Sequence, residues 1–169
     1  MLKKWRSEII LFGLAAIVIV LDQLTKNWVL NNLRFQDPWN PIEWMAPIVT
    51  LTRVHNTGAA FGMFPAAKTF FTIIPVVVII AILLYYRRFP EGMWLVRIPL
   101  GLQLGGAIGN FIDRLRLGYV VDFVDFHFWP VFNVADSSLV VGSLLLAYII
   151  LFKLDDEALE GVTAEAESS

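Results

Sequence analysis

Four long apolar runs decide most of what this chain can become. Residues 9–21 (IILFGLAAIVIVL) are thirteen apolar residues without a break. Residues 70–86 (FFTIIPVVVIIAILLYY) form a second run, 94–112 a third and 134–152 a fourth. A helix needs roughly 20 mostly apolar residues to cross a bilayer. The later runs come close to that length, and the first reaches it by continuing through Asp22 towards Leu30. In lipid, every backbone N–H and C=O must be satisfied internally, so unalternated runs of this kind are read as helices. The chain is therefore expected to be a mainly α membrane protein. Four transmembrane helices would carry a small extracytoplasmic β-region and a periplasmic-side helix or loop. The spans fall at about 8–30, 69–86, 94–113 and 133–152, in a single domain over 1–153.

Composition agrees. The chain is 57% hydrophobic and 17% charged, whereas soluble domains run nearer ~45–50% and ~25%. It has no cysteines, so disulfides, thiol catalysis and Cys-based metal sites are excluded. No basic cluster is large enough to suggest nucleic acid. Residues 154–169 are acidic and rich in Ala, Glu and Ser, which reads as a disordered cytoplasmic tail. Lys3, Lys4 and Arg6 precede the first run like a signal-peptide start, but no A-x-A pattern follows, so an uncleaved anchor is expected. Pro75 and Pro99 are tolerable inside spans.

Four spans put both termini on one side. Lys3, Lys4, Arg6, Arg87, Arg88, Arg97 and Lys153 fall there, against Lys26, Arg34, Arg53, Lys68, Arg114 and Arg116 on the other. The count is nearly balanced, but the first helix and the short Arg87-Arg88 loop weigh most in the positive-inside rule. Both termini are thus read as cytoplasmic. The informative polar residues, Asp22, Lys26, Asn110, Asp113, Arg114, Asp122, Asn133 and Asp136, then gather at the outer face. In the large loop 31–68, Ile48–Val54 partly alternates and reads as a strand. A turn follows at Asn56-Thr57-Gly58. Trp39 and Trp44 suit a membrane interface.

Acids in apolar segments are costly and are functional candidates by default. Asp22 and Lys26 stand i,i+4 and can pair. Asp113 and Arg114 can pair at the end of the third span. Two close carboxylates in low dielectric cannot easily both ionise, which suits Asp122 and Asp136 to water activation. From the residues alone, three readings stay open for them: a catalytic pair, a proton or cation path, or structural pairing. Asp125 competes for a place in the pair. Gly101, Gly105 and Gly109 are spaced for close helix packing. There is no HExxH and no G-x-S-x-G, and the only histidines are His55 and His127. Zinc and serine proteases are thereby disfavoured.

Five blocks in order carry a resemblance: DQLTK at 22–26, HNTGAAF at 55–61, GGAIGNFIDR at 105–114, VVDF at 120–123 and FNVADS at 132–137. On these, and on length and span number, the chain resembles bacterial lipoprotein signal peptidase (signal peptidase II) over roughly residues 8–152. The resemblance implies an aspartic endopeptidase of the inner membrane. Such an enzyme removes signal peptides from diacylglyceryl-modified prolipoproteins by cutting just before the lipidated cysteine. It implies catalytic Asp122 and Asp136. Supporting positions would be Asp22, Lys26, Asn56, Gly58, Asn110, Asp113, Arg114 and Asn133, with Asp113 bracing Arg114. Its partners are prolipoprotein substrates and membrane lipids, with no nucleic acid, no metal and no cofactor, and the expected state is a monomer. Gly62 and His55 depart from the family pattern, at positions that would tune loop contact with substrate. The alternative function is a small proton- or ion-coupled transporter using the same acids.

Overall fold

The computed structural model describes residues 2–58, 65–89 and 93–152. The acidic segment 154–169, the stretch 59–61 of the HNTGAAF block and its neighbour Gly62 lie outside them. Among the described residues, four helices are long and apolar enough to cross a membrane: α1 (Leu2–Asn32), α2 (Pro65–Tyr85), α3 (Arg97–Arg116) and α4 (Val134–Phe152). Short 3₁₀ turns at Tyr86–Arg88 and Trp94–Val96 extend the facing ends of α2 and α3.

α3 is the central helix, and α1, α2 and α4 all pack on it, α1 and α4 most extensively. Its glycines explain how. A Cβ on Gly101 would stand 2.7 Å from the Leu11 carbonyl oxygen, and one on Gly105 would stand 2.8 Å from that of Ala15. On another face, a Cβ on Gly106 would meet the Ala135 carbonyl oxygen at 2.5 Å. The small residues thus let two helix backbones approach α3 at once. Lipid tails are as apolar as leucine, so such contact, rather than hydrophobic burial, holds membrane helices together. α2 is anchored chiefly at its far end, where Ile82 and Tyr86 join Leu11, Val96, Leu100 and Leu104 in a buried cluster.

A two-stranded antiparallel sheet sits at the other end of the bundle. β1 (Thr50–Asn56) pairs with β2 (Val120–Asp125), with Val54 opposite Asp122 and a bulge between Leu51 and Val54. From sequence, the 114–132 connection reads as helix or loop. Its middle is instead a strand, and the remainder up to α4 is irregular. The strand at Ile48–Val54 shifts to Thr50–Asn56 because β2 extends the ladder to Asn56↔Val120. Arg53 fastens β1 to α1 by donating from Nη1 to the carbonyls of Leu30 (3.2 Å) and Leu33 (3.3 Å). These are carbonyls that a helix end leaves without partners. Beneath the sheet, Val29, Leu33, Val121 and Phe123 form a second buried cluster.

Candidate active site

At the sheet end of the bundle, α1, α3 and α4 each bring a polar residue that their apolar neighbours cannot satisfy. Asp22 and Lys26 lie one turn apart on α1 and pair at 2.9 Å. Lys26 also reaches Asp113 on α3 at 3.1 Å and donates to Asn110 Oδ1 at 3.0 Å. Its ammonium is thereby fully used by three acceptors. Lys26, Asp22 and Asp113 are all buried. Asp22 Oδ1 accepts the backbone N–H of Ala135 at the start of α4 (3.1 Å). Asp113 Oδ2 accepts the N–H of Val121 in β2 (3.0 Å). The cluster ties α1, α3, α4 and the sheet at one point.

Asp113 does not brace Arg114, contrary to the expectation from sequence. Adjacent residues on a helix diverge by about 100°, since the helix turns every 3.6 residues. Asp113 turns inward to Lys26, while Arg114 donates to the Asn110 carbonyl at 3.2 Å. Arg114 nevertheless lies within electrostatic range of Asp136, Asp122 and Asp113.

Asp122 and Asp136 meet through three amides. Asn133 Nδ2 donates to Asp122 Oδ1 (2.7 Å) while Asn133 Oδ1 accepts the N–H of Asp136 (2.9 Å). Asn56 Nδ2 donates to Asp122 Oδ2 (2.8 Å) while its Oδ1 accepts the N–H of Gly58 (2.8 Å). Asn110 Nδ2 donates to Asp136 Oδ1 (2.8 Å), and its Oδ1 accepts from Lys26 and from Asn133 Nδ2 (3.2 Å). Each amide oxygen is claimed by a fixed donor, so each amide nitrogen must face a carboxylate. The orientation of all three side chains follows from this network rather than from an arbitrary assignment. Gly58 takes φ +76°, and a Cβ there would stand 2.5 Å from the Phe71 ring. Only glycine tolerates both the backbone and the contact.

Asp122 is buried in β2. Burial, followed by the charge of Asp136, pushes its carboxyl up to about 7, against the pull of the Asn56 and Asn133 hydrogen bonds and Lys26. Asp125 is not part of this group. Three residues along a strand point to opposite faces, and its carboxylate accepts the N–H of His127 at 2.8 Å. His55 stacks between Tyr119 (3.9 Å) and Phe35 (4.4 Å), and burial and Arg53 hold its imidazole below the usual histidine range. The Ser137 and Ser138 hydroxyls donate to helix carbonyls of Asn133 and Val134. Among the described residues, no group of three His, Cys, Asp or Glu side chains is arranged to hold a metal.

Sequence reasoning overlooked Gln23. Its amide nitrogen donates to Asp113 Oδ1 (3.0 Å), Asp22 Oδ2 (3.2 Å) and the Gly109 carbonyl (3.2 Å), and its oxygen accepts from Arg116 (3.2 Å). The signal was present: an amide beside Asp22, inside an otherwise apolar helix, has to find its partners in the protein.

A family model described as signal peptidase (SPase) II matches residues 14–152. A lipoprotein signal peptidase of Halothermothrix orenii is 47% identical over 130 residues, covering 77% of this chain and 87% of that protein. One from Moorella thermoacetica is 42% identical over 147 residues, covering 87% and 96%. Among solved structures, a bacterial membrane enzyme determined by the in meso method at 1.9 Å superposes with TM-score 0.75 at 33% identity, covering 82% of this chain and 90% of that one. Matches of this extent make the chain a member of the signal peptidase II family.

Proposed function

We propose that this member of the family is an aspartic endopeptidase whose reacting pair is Asp122 and Asp136. Family membership already makes it a peptidase of the bacterial inner membrane, with several spans, that removes signal peptides from prolipoproteins. The proposal adds the chemistry and the cut. The substrate is a diacylglyceryl-modified prolipoprotein, cleaved just before the lipidated cysteine. The observation that carries this reading is the unequal environment of two carboxylates bridged by Asn133: one pushed up to about 7, the other receiving Asn110 Nδ2.

In the proposed cycle Asp122 is the proton donor and Asp136 the base, with Arg114 within electrostatic range of both. Asp136 takes a proton from water as the water oxygen attacks the scissile carbonyl carbon. Asp122 gives its proton to the carbonyl oxygen, leaving a neutral gem-diol. Asp136 then protonates the leaving nitrogen as the C–N bond breaks, and Asp122 recovers a proton from a gem-diol hydroxyl. Both groups end as they began. Asn56, Asn110 and Asn133 position the acids. Asp22, Lys26 and Asp113 position Asn110 and the start of α4.

The test is cleavage of a diacylglyceryl-modified prolipoprotein peptide by purified protein, beside an unlipidated control. Wild type should cut before the lipidated cysteine. Asp122→Asn and Asp136→Asn should each lose activity by about 10³-fold or more. Full activity in either variant would sink the pair. Well-folded wild type that cuts nothing but conducts protons across liposomes would restore the transporter reading.

A further inference from the structure

At the end of the bundle opposite the acids, a buried arginine lacks acceptors. Among the described residues, the buried side-chain polar atoms without a hydrogen-bond partner are Nε of Arg53 and Nε and Nη1 of Arg97. Arg53 is otherwise occupied in capping α1. Arg97 is 5% exposed and, among the described residues, makes one hydrogen bond, from Nη2 to the Phe89 carbonyl at 3.1 Å. Its guanidinium also lies 5.5 Å from the centre of the Tyr86 ring. The Nε and Nη1 atoms carry three N–H groups, all donors. Buried donors on a charged group are costly to leave unmet, and such orphans point to an acceptor still to be supplied. Glu8 acts on Arg97 electrostatically. Its carboxylate lies 3.9 Å from Arg87 instead, and no ion pair to Arg97 forms within 4.0 Å among the described residues.

The surroundings say what the acceptor is. Arg87 and Arg88 are exposed at the end of α2. Arg87 Nε donates to the Tyr86 hydroxyl at 2.8 Å, and Arg88 lies over the Tyr85 ring at 4.6 Å. Among the described residues, three arginines therefore gather with one glutamate where two apolar spans end, Glu91 of the connecting stretch lying outside them. Tyr85 and Trp94 are exposed at the same level, and tyrosine and tryptophan belong at the headgroup layer. Basic pockets between membrane helices suit acidic headgroups, and the arginine fork matches two oxygens of a phosphate. A free anion would gain nothing from the exposed Leu84 and Leu95 beside the cluster, whereas acyl chains would cover them.

We propose that the α2–α3 junction binds the phosphodiester of an anionic phospholipid, with Arg97 as its two-pronged ligand and Arg87 as the outer cation. The phosphate enters from the lipid side as the partly buried Phe89 and Met93 give way. It ties α2 to α3, whose opposite end carries Asn110, Asp113 and Arg114.

The full chain, purified in detergent, would be offered equimolar phosphatidylglycerol and phosphatidylcholine and read by native mass spectrometry. Wild type should retain phosphatidylglycerol with about fivefold preference, and Arg97→Gln should abolish that preference. Thermal unfolding gives the second reading: phosphatidylglycerol should raise the wild-type Tm and leave that of Arg97→Gln unmoved, while inorganic phosphate shifts neither. Should Arg97→Gln not fold, Arg97→Lys keeps the charge without the fork and should weaken the preference. Equal retention of the two lipids overturns the proposal. So does a preference unchanged in the Arg97 variants, or a Tm shift reproduced by inorganic phosphate alone.

Discussion

At Asp122, burial and the Asp136 charge push in one direction and two amide donors push in the other. On the proposed mechanism Asp122 must hold a proton when substrate arrives. Its carboxyl is protonated below about 7 and charged above it, so kcat/KM should fall as pH rises through that region. The hydrogen bond from Asn56 favours the charged form. Asn56→Ala removes it and should move the alkaline limb upward by about one pH unit, since a hydrogen bond to a charged group is worth roughly 1.5–3 kcal/mol. A pH–rate profile checks this, and a limb that stays put or moves down would dissociate Asp122 from it. Lys26 gives a second prediction at this scale. Lys26→Met leaves Asp22 and Asp113 buried without their shared cation, and breaking a buried pair in this way costs about 3–5 kcal/mol. Thermal unfolding in detergent should show the loss, and a Tm within a degree or two of wild type would mean that the cluster contributes little. Asp22, Lys26 and Asp113 were legible in sequence because charge inside an apolar helix has few explanations. The partner of Asp113 was not, because one-residue steps around a helix decide it. Gln23 carried no charge to draw notice.

At the scale of elements, the spans were readable because apolar length in a membrane chain has essentially one structural solution. β2 was not, for the opposite reason. Val120–Asp125 is six residues, and its partner β1 ends at Asn56, so nothing local announces the pairing. That pairing sets Val54 opposite Asp122 and brings Asn56 to the carboxylate. Glycine spacing did announce a close helix contact on α3, though not that α1 makes it. Gly105→Val would force its side chain against the Ala15 carbonyl and Val18, and overpacking of this kind costs about 1–3 kcal/mol. Lower Tm with the span count intact is the expected result, and unaltered stability would contradict close packing. A further contact joins two irregular segments over the sheet: His127 Nε2 lies 3.0 Å from the Ala46 carbonyl oxygen. If the segments around 42–49 and 126–132 must part to admit substrate, a short bis-maleimide between cysteines at Ala46 and Phe128 should stop turnover, and cleaving the linker should restore it. Turnover unaffected by the crosslink would remove these segments from the reaction cycle.

For the whole molecule, the arrangement separates two kinds of charge. The acids and their amides occupy the end where α1 and α3 finish and α2 and α4 begin. The opposite end carries Arg87, Arg88 and Arg97 and, in sequence, the Lys3, Lys4 and Arg6 that open α1. Across the whole chain the cations divide almost evenly between the two ends, seven against six by residue count, so number alone does not orient the protein. At the acid end, Lys26 is committed to buried carboxylates and Arg53 to helix carbonyls, while Arg34 and Arg116 are exposed. At the other end Arg87 and Arg88 are exposed, and the weight of that short loop in the positive-inside rule is the ground for expecting them in the cytoplasm. On that orientation the acids would open to the extracytoplasmic side, where a signal peptide's cleavage site emerges. The native chain has no cysteine, so a single introduced thiol reports without background. In intact cells, cysteine at the exposed Trp129 should react with a membrane-impermeant maleimide, and cysteine at Arg88 should react only after lysis. The reverse pattern would put the acids in the cytoplasm, away from any exported substrate, and the proposed reaction would lose its access to the cleavage site.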